Sequence, residues 1–406
     1  MSDVADRGLR SRHGTLCRTL AAATLSLLVT STSLSASASA ATPRSCPAGG
    51  ELVYVGTQAS EPGQGIFAAR LDRRTGKLTP VGLAAEVQRP TWLTPHPALP
   101  IIYAVSEVGN DGKSQGSVLT FQADPKTGLL NKVGAVPSGG GGPTHLAVDL
   151  PTRTVLVANY GTGQVAALPI LADGSLGAPR SVQADQGSGP SPRQKGPHAH
   201  AVTLDPSRKF ALVADLGADR IFIYPYDRAT HQLGAMPTIE ALPAGQGPRR
   251  LAFHPNGRFV FLLSELIPEL RAYLWDAQKG KLHLTQTVAT AADPAHADKA
   301  KGAELVVSPD GRFVYVSIRG EDVLVAYAVN PRTGALREVQ RVAANGLLPW
   351  SFGLEPGGRW LLVANQGSNA VQVFARDPAS GKLTATSESI TVNKPVSVAY
   401  LQGGCR

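Results

Sequence analysis

Between residues 193 and 265 the chain concentrates side chains that move protons and bind anions: Arg193, His198, His200, Asp215, Arg249, Arg250 and Glu265. Imidazoles and carboxylates can activate water or protonate a leaving group, and arginines beside them can hold an oxyanion, a carboxylate or a phosphate. His145, Asn159, Glu304 and Arg319 join this set once the repeats described below are folded together. His198-Ala199-His200 puts two imidazoles on one face of an extended strand, but no third ligand stands at a recognisable spacing, so no metal is expected. An oxygen cage for a divalent cation, built from Asn159, Asp215, Glu265 and Asn365, is the weaker reading of the same groups.

The elements that must position these residues form a repeat. Residues 247–266, GPRRLAFHPNGRFVFLLSEL, hold two apolar runs around a Pro-Asn-Gly turn, the pattern of a β-hairpin. Related hairpins begin at Gly142, Gly196, Lys301 and Leu348, with a weaker copy at Arg89. A third apolar run follows each hairpin, as at 164–170, 220–226, 323–329 and 370–374, and then a turn of the Asp-Pro-x-Thr-Gly kind and a fourth short strand. Four strands in a period of roughly fifty residues describe a β-propeller blade. Aligned on the end of the second strand, the copies fall at Gly56, Ser106, Asn159, Asp215, Ser264, Ile318 and Asn365, which makes seven. The first copy, ELVYVGT, has no inner strand of its own, and residues 395–401, PVSVAYL, supply one. The expected fold is therefore all-β: a seven-bladed propeller of four-stranded antiparallel blades, its ring closed by N- and C-terminal strands in one blade.

Residues 1–41 read as an export leader, with Arg7, Arg10, Arg12 and Arg18, a short apolar core at 20–28 and an alanine-rich cleavage region. That core is too short to span a bilayer. The expectation is an exported protein, periplasmic or secreted, with no membrane attachment after processing and one propeller domain over residues 42–406. Cys46 and Cys405 then stand at opposite ends of the mature chain, flanking the break in the first blade, and an oxidising compartment would allow a disulfide between them. The formal charge is +9, and +7 remains without the leader's four arginines and two aspartates. This excess favours anionic ligands. The basic residues are scattered through turns without interleaved aromatics, which argues against nucleic acid. Outer strands with only isolated apolar positions suggest a monomer.

In a propeller, inner strands begin and second strands end on one face of the central channel. That face collects Thr144, His145, His198, His200, Arg249, Arg250, Lys301 and Glu304 at strand starts, and Glu107, Asn159, Asp215, Glu265, Arg319 and Asn365 at strand ends. Convergence of acids, bases and cations on one funnel marks it as the binding face for a small molecule.

The segment GSGPSPRQKGPHAHAVTLDPSRKFALVADLGADRIFIYPYD (187–227), with VANYGTGQVAALPI, GPRRLAFHPNGRF and VANQGSNAVQVFARDPASGKL, resembles the seven-bladed propeller lactonase family. That family includes a bacterial 6-phosphogluconolactonase and the fungal carboxymuconate-lactonizing enzyme. The resemblance covers residues 51–401 and is most specific at Arg193 to His200. It implies hydrolysis of an anionic or sugar-derived lactone without a required cofactor, and the positions that match are His145, Arg193, His198, His200, Asp215, Arg249 and Glu265. On this reading His145, His200, Asp215 and Glu265 are the catalytic candidates. Arg193, His198, Arg249, Arg250, Asn159, Glu304 and Arg319 are the substrate-binding ones. The base is one of Glu265, Asp215 and His200, with His145 or Arg249 facing the oxyanion and Arg193 or Arg250 holding a phosphate or carboxylate. The chain departs from the family at Arg250, where a histidine is common, at Ile318 and Glu321 of Ser317-Ile318-Arg319-Gly320-Glu321, where Ser-Asn-Arg-Gly-His is usual, and at Trp350, where an arginine is common. The rival readings are a lactonizing cycloisomerase using the same site and a non-catalytic propeller that binds a glycan or protein.

Overall fold

A computed structural model describes residues 50–292 and 299–401. The leader expected over residues 1–41, and the disulfide expected between Cys46 and Cys405, fall outside the described residues. Seven antiparallel sheets are present, six of them four-stranded. Blade 1 runs outward from Pro395–Tyr400 through Glu51–Thr57 and Gly65–Leu71 to Leu78–Glu86. Its inner strand comes from the C-terminus, with Tyr400 opposite Val53 and Val398 opposite Val55, so the ring closes as the missing strand of the first repeat requires. The remaining blades follow in chain order, their inner strands being Leu93–Pro95, Pro143–Asp149, Ala199–Leu204, Pro248–Phe253, Lys301–Val307 and Pro349–Leu354. The second strands end within one residue of the positions read from the repeat. In blade 4 the outer strand is split into Gln232–Leu233 and Thr238–Ala241, both paired with Arg220–Asp227. Gly234 and Pro237 lie in the gap, where a flexible residue and one without an N–H interrupt the ladder.

The second strands explain why blades stack. Thr154–Asn159 and Phe259–Ser264 are buried along their whole length, because each lies in mid-blade with a neighbouring blade on either face. Outer strands such as Lys281–Ala289 bury only scattered residues. Apolar side chains therefore form seven clusters, one in each blade interface: Tyr54, Ile102 and Phe121 between blades 1 and 2, for example, and Phe261, Val316 and Tyr327 between blades 5 and 6. The seam between blades 7 and 1 has its own, built on Val53, Val371 and Tyr400.

A second contact locks neighbouring blades. In blades 1, 5, 6 and 7 the glycine in the turn between third and outer strands, Gly76, Gly280, Gly334 or Gly381, has positive φ and presses on the aromatic residue that opens the preceding blade's second strand. A Cβ on Gly381 would stand 2.3 Å from the Phe313 ring, and one on Gly76 would stand 2.4 Å from Trp360 across the seam. Gly381→Ala is expected to lower stability by ~2 kcal/mol through overpacking and an unfavourable φ. Gly134→Ala, on an outer strand with open space around it, is the matched control and should be near neutral in the same urea titration.

Candidate active site

A β-bulge opens the inner strand of six blades. Pro143 pairs with Asn159 and His145 with Ala158, which leaves Thr144 unpaired. The same slip leaves His200, Arg249, Trp350 and Val396 unpaired in blades 4, 5, 7 and 1. In blade 6, Ala303 and Glu304 oppose Ser317 alone. A bulge re-aims the side chain it carries, and all five unpaired residues, Thr144, His200, Arg249, Trp350 and Val396, line a funnel at the mouth of the channel. Its volume is about 260 Å³, small for an organic-ligand site and suited to a single-ring molecule. Five arginines line it, Arg89, Arg193, Arg249, Arg250 and Arg319, against Glu107 and Glu265.

Glu265 is the centre of this charge. It is 3% exposed. Its Oε2 accepts Arg249 Nε at 2.9 Å, Arg319 Nη2 lies 3.1 Å from Oε1, and Arg193 Nη1 also donates to Oε1. Burial alone would raise its pKa, but Arg319, Arg249 and Arg193 outweigh it and hold the carboxyl well below the usual range. Glu265 is therefore a fixed anion rather than a base. His200 stands beside it, Nε2 at 3.8 Å from Oε2, with a buried Nδ1 that has no hydrogen-bond partner among the described residues. Burial and the charge of Arg249 hold His200 well below the ordinary imidazole range despite Glu265, so the ring is neutral at physiological pH. Tyr160 closes one wall, its hydroxyl accepting Arg193 Nη2 at 2.9 Å and its ring meeting His200 edge-on.

A second chain of contacts crosses the ring deeper in the channel. The Arg250 guanidinium, from blade 5, lies 3.9 Å over the Trp92 ring, which precedes the inner strand of blade 2. Its Nη2 donates to Glu304 Oε2 at 2.9 Å, and the same oxygen accepts Ser351 Oγ from blade 7. Arg250 Nε and Nη1 and Arg319 Nε are buried donors without a partner among the described residues. Arg319 lies 4.3 Å over the Trp350 ring.

Other candidates take supporting positions. His145 Nδ1 accepts the Val202 N–H at 3.3 Å, which puts its proton on Nε2, and its ring packs 4.7 Å from Trp92. Burial, with Arg250, His200 and Arg249, keeps it neutral. His198 stacks on Tyr160 at 4.5 Å and donates Nδ1–H to the Tyr160 carbonyl. Asp215 accepts the N–H groups of His198 and Ala218 behind the wall. Asn159 donates to Ser138 and Gln164 carbonyls, and Asn365 to that of Ala344. The two asparagines are thus tied to backbone carbonyls of their own blade or of the connection leading into it rather than brought to Glu265. The sequence reading missed Tyr160, Trp92, Arg89, Gln58, Asn110, Thr91 and Ser351 as lining residues. Tyr160 follows the Val-Ala-Asn end of a second strand, a position that could have found it.

The family described as Lactonase, 7-bladed beta-propeller matches residues 52–400. The chain belongs to that family. It is 33% identical to the 6-phosphogluconolactonase of Bacillus subtilis over 86% of this chain and 97% of the relative. The periplasmic gluconolactonase PpgL of Pseudomonas aeruginosa superposes with a TM-score of 0.80 at 35% identity, covering 86% of this chain and 99% of that one. A putative 6-phosphogluconolactonase of Bacteroides uniformis superposes at 0.79 and 31%, with coverage of 86% and 99%. Three of the residues read as departures from this family each have a partner: Arg250 has Glu304 and Trp92, Trp350 has Arg319, and Glu321 turns to Arg341 and the Ala292 N–H. Because Glu265 balances three buried or half-buried arginines, Glu265→Gln should cost about 3–5 kcal/mol. Chemical denaturation against the wild type measures it.

Proposed function

We propose that this chain hydrolyses a small lactone of a sugar acid, with water attacking the ring carbonyl in the funnel. The observation that carries the reading is the neutral His200 beside the fixed Glu265 anion, in a funnel lined by more arginines than carboxylates. His200 takes a proton from water as the water oxygen bonds to the carbonyl carbon, and Glu265 stabilises the imidazolium that results. Negative charge then develops on the carbonyl oxygen, and the guanidiniums of Arg250 and Arg319, which line the funnel, are the groups placed to receive it. Collapse breaks the ring C–O bond, the leaving alkoxide takes the proton back from His200, and the open-chain acid releases its own proton to solvent and departs as the carboxylate. Tyr160 and Arg193 form the wall at the mouth, where Arg193 can also meet an anionic substituent.

The leader and the similarity to a protein named as a periplasmic gluconolactonase support an exported enzyme acting on an unphosphorylated aldonolactone. The B. subtilis relative's name supports a phosphorylated one. A pH-stat assay with glucono-δ-lactone and 6-phosphoglucono-δ-lactone, spontaneous hydrolysis subtracted, tests the activity and separates the two. No proton release above background from the folded protein with either substrate would overturn the hydrolase reading. His200→Gln is expected to reduce kcat by about 10²–10⁴-fold. Since a base works only when unprotonated and His200 is held below 6.5, kcat/KM should stay level through neutrality and fall only well below pH 6.5. A limb centred at or above 6.5 would remove His200 as the base.

A further inference from the structure

Arg193 reaches the funnel from the segment 186–197, which joins the outer strand of blade 3 to the inner strand of blade 4. Both ends of this segment meet one buried pair of carboxyls. Asp185, immediately before it, accepts the Tyr224 hydroxyl at 2.6 Å on Oδ1. Asp215 Oδ1 accepts the N–H of His198, immediately after it, at 2.8 Å, and that of Ala218 at 2.7 Å. Asp185 is 3% exposed and Asp215 fully buried. The Oδ2 atoms of both are buried without a hydrogen-bond partner among the described residues, and the two carboxyls are close enough for each to perturb the other. Two buried carboxylates side by side repel each other, and one proton between them removes that repulsion and gives both Oδ2 atoms a partner.

We propose that Asp185 and Asp215 hold one proton between them and act as a positioning pair, clasping the two ends of the segment that presents Arg193 to the funnel. Asp185 is the donor, its carboxyl pushed well above the usual range by burial and then by Asp215, and Asp215 is the acceptor. The groups facing the pair are Tyr224 from the third strand of blade 4 and His198 from the start of its inner strand. Close by, Arg220 holds the Gln186 carbonyl at 2.7 Å, and Asp219 receives Gln194 Nε2 at 2.7 Å. Loss of the proton leaves two buried like charges at the root of the segment. The strain is relieved by separating its ends, which withdraws Arg193 from Glu265 and Tyr160.

The kinetic consequence rests on the lactonase reading, but the clasp has readouts that do not. Asp185→Asn keeps an acceptor for Tyr224 and gives Asp215 a donor that cannot titrate. In the wild type, KM should rise severalfold at alkaline pH, and amide exchange in residues 186–197, corrected for intrinsic rate, should rise with it. Both changes should be absent in D185N. Infrared spectra at neutral pH should show a buried carboxylic-acid C=O stretch in the wild type that D185N lacks, and Asp215→Asn, which supplies the donor from the other side, should lack it too. A raised carboxyl pKa lets the unfolded chain ionise first, so the pair destabilises the fold increasingly as pH climbs above about 3.8. D185N should therefore melt higher than the wild type at pH 8, with the difference closing towards pH 4. No acid stretch in the wild type, or the same alkaline loosening of 186–197 in D185N, would overturn the proposal even if no lactone is turned over.

Discussion

A carboxylate taken out of water is costly unless its charge is met on every side, and Glu265 is met from three places in the ring. Arg249 comes from the inner strand of blade 5, Arg319 from the end of the second strand in blade 6, and Arg193 from the segment leading into blade 4. One anion thus ties together elements that share no backbone hydrogen bonds. The tie also divides the labour. Three arginines leave Glu265 no tendency to accept a proton, while burial, with the charges of Arg249 and Arg250, denies one to His200 and His145. In the proposed reaction the proton-accepting role therefore falls to His200, which burial and Arg249 keep neutral beside that anion.

The propeller makes such a cluster possible by repetition. Each blade interface contributes its own apolar cluster, so the ring is rigid without help from the polar channel. Rigid walls can then carry a bulge at the same place in blade after blade. Placed one residue inside the strand, the bulge turns a side chain that regular pairing would bury in the blade interface towards the axis. Thr144, His200, Arg249, Trp350 and Val396 share this origin, although nothing in their chemistry relates them.

Much of this was readable in advance, and the limits have physical causes. Blade number, strand order and the closing role of residues 395–401 follow from apolar runs and turns at a fixed period, because burial in mid-blade admits little else. The funnel face followed from the polar residues at strand starts and ends, and His200, Arg193, Arg249, Arg250, Arg319 and Glu265 all reach it. Strict alternation, however, assigns His198 and His200 to one face. The bulge at His200 breaks that alternation, so His200 enters the funnel while His198 stacks behind Tyr160. Asp215 looked like an acid in the site because it ends a second strand, as its neighbours in the repeat do. Its backbone donors are fixed by a turn whose shape the residue types do not disclose. Trp92 and Arg89 stand in the repeat with the weakest pattern, where a three-residue inner strand offers little periodicity to read.

The residues that depart from the family pattern show how such a site can change without coming apart. A guanidinium in place of the commoner histidine at position 250 brings a permanent charge into the channel, and a lone buried charge would be strongly destabilising. Here Glu304 balances it, Ser351 completes the hydrogen bonds of Glu304 Oε2, and the Trp92 ring covers the guanidinium face. These four residues belong to four different blades, so each is chosen by its partners across the ring rather than by its neighbours in sequence. Placing histidine at 250 alone would leave Glu304 facing a smaller and titratable group and would uncover Trp92. The inner end of the funnel is therefore a coupled unit, and its shape and charge change together or not at all.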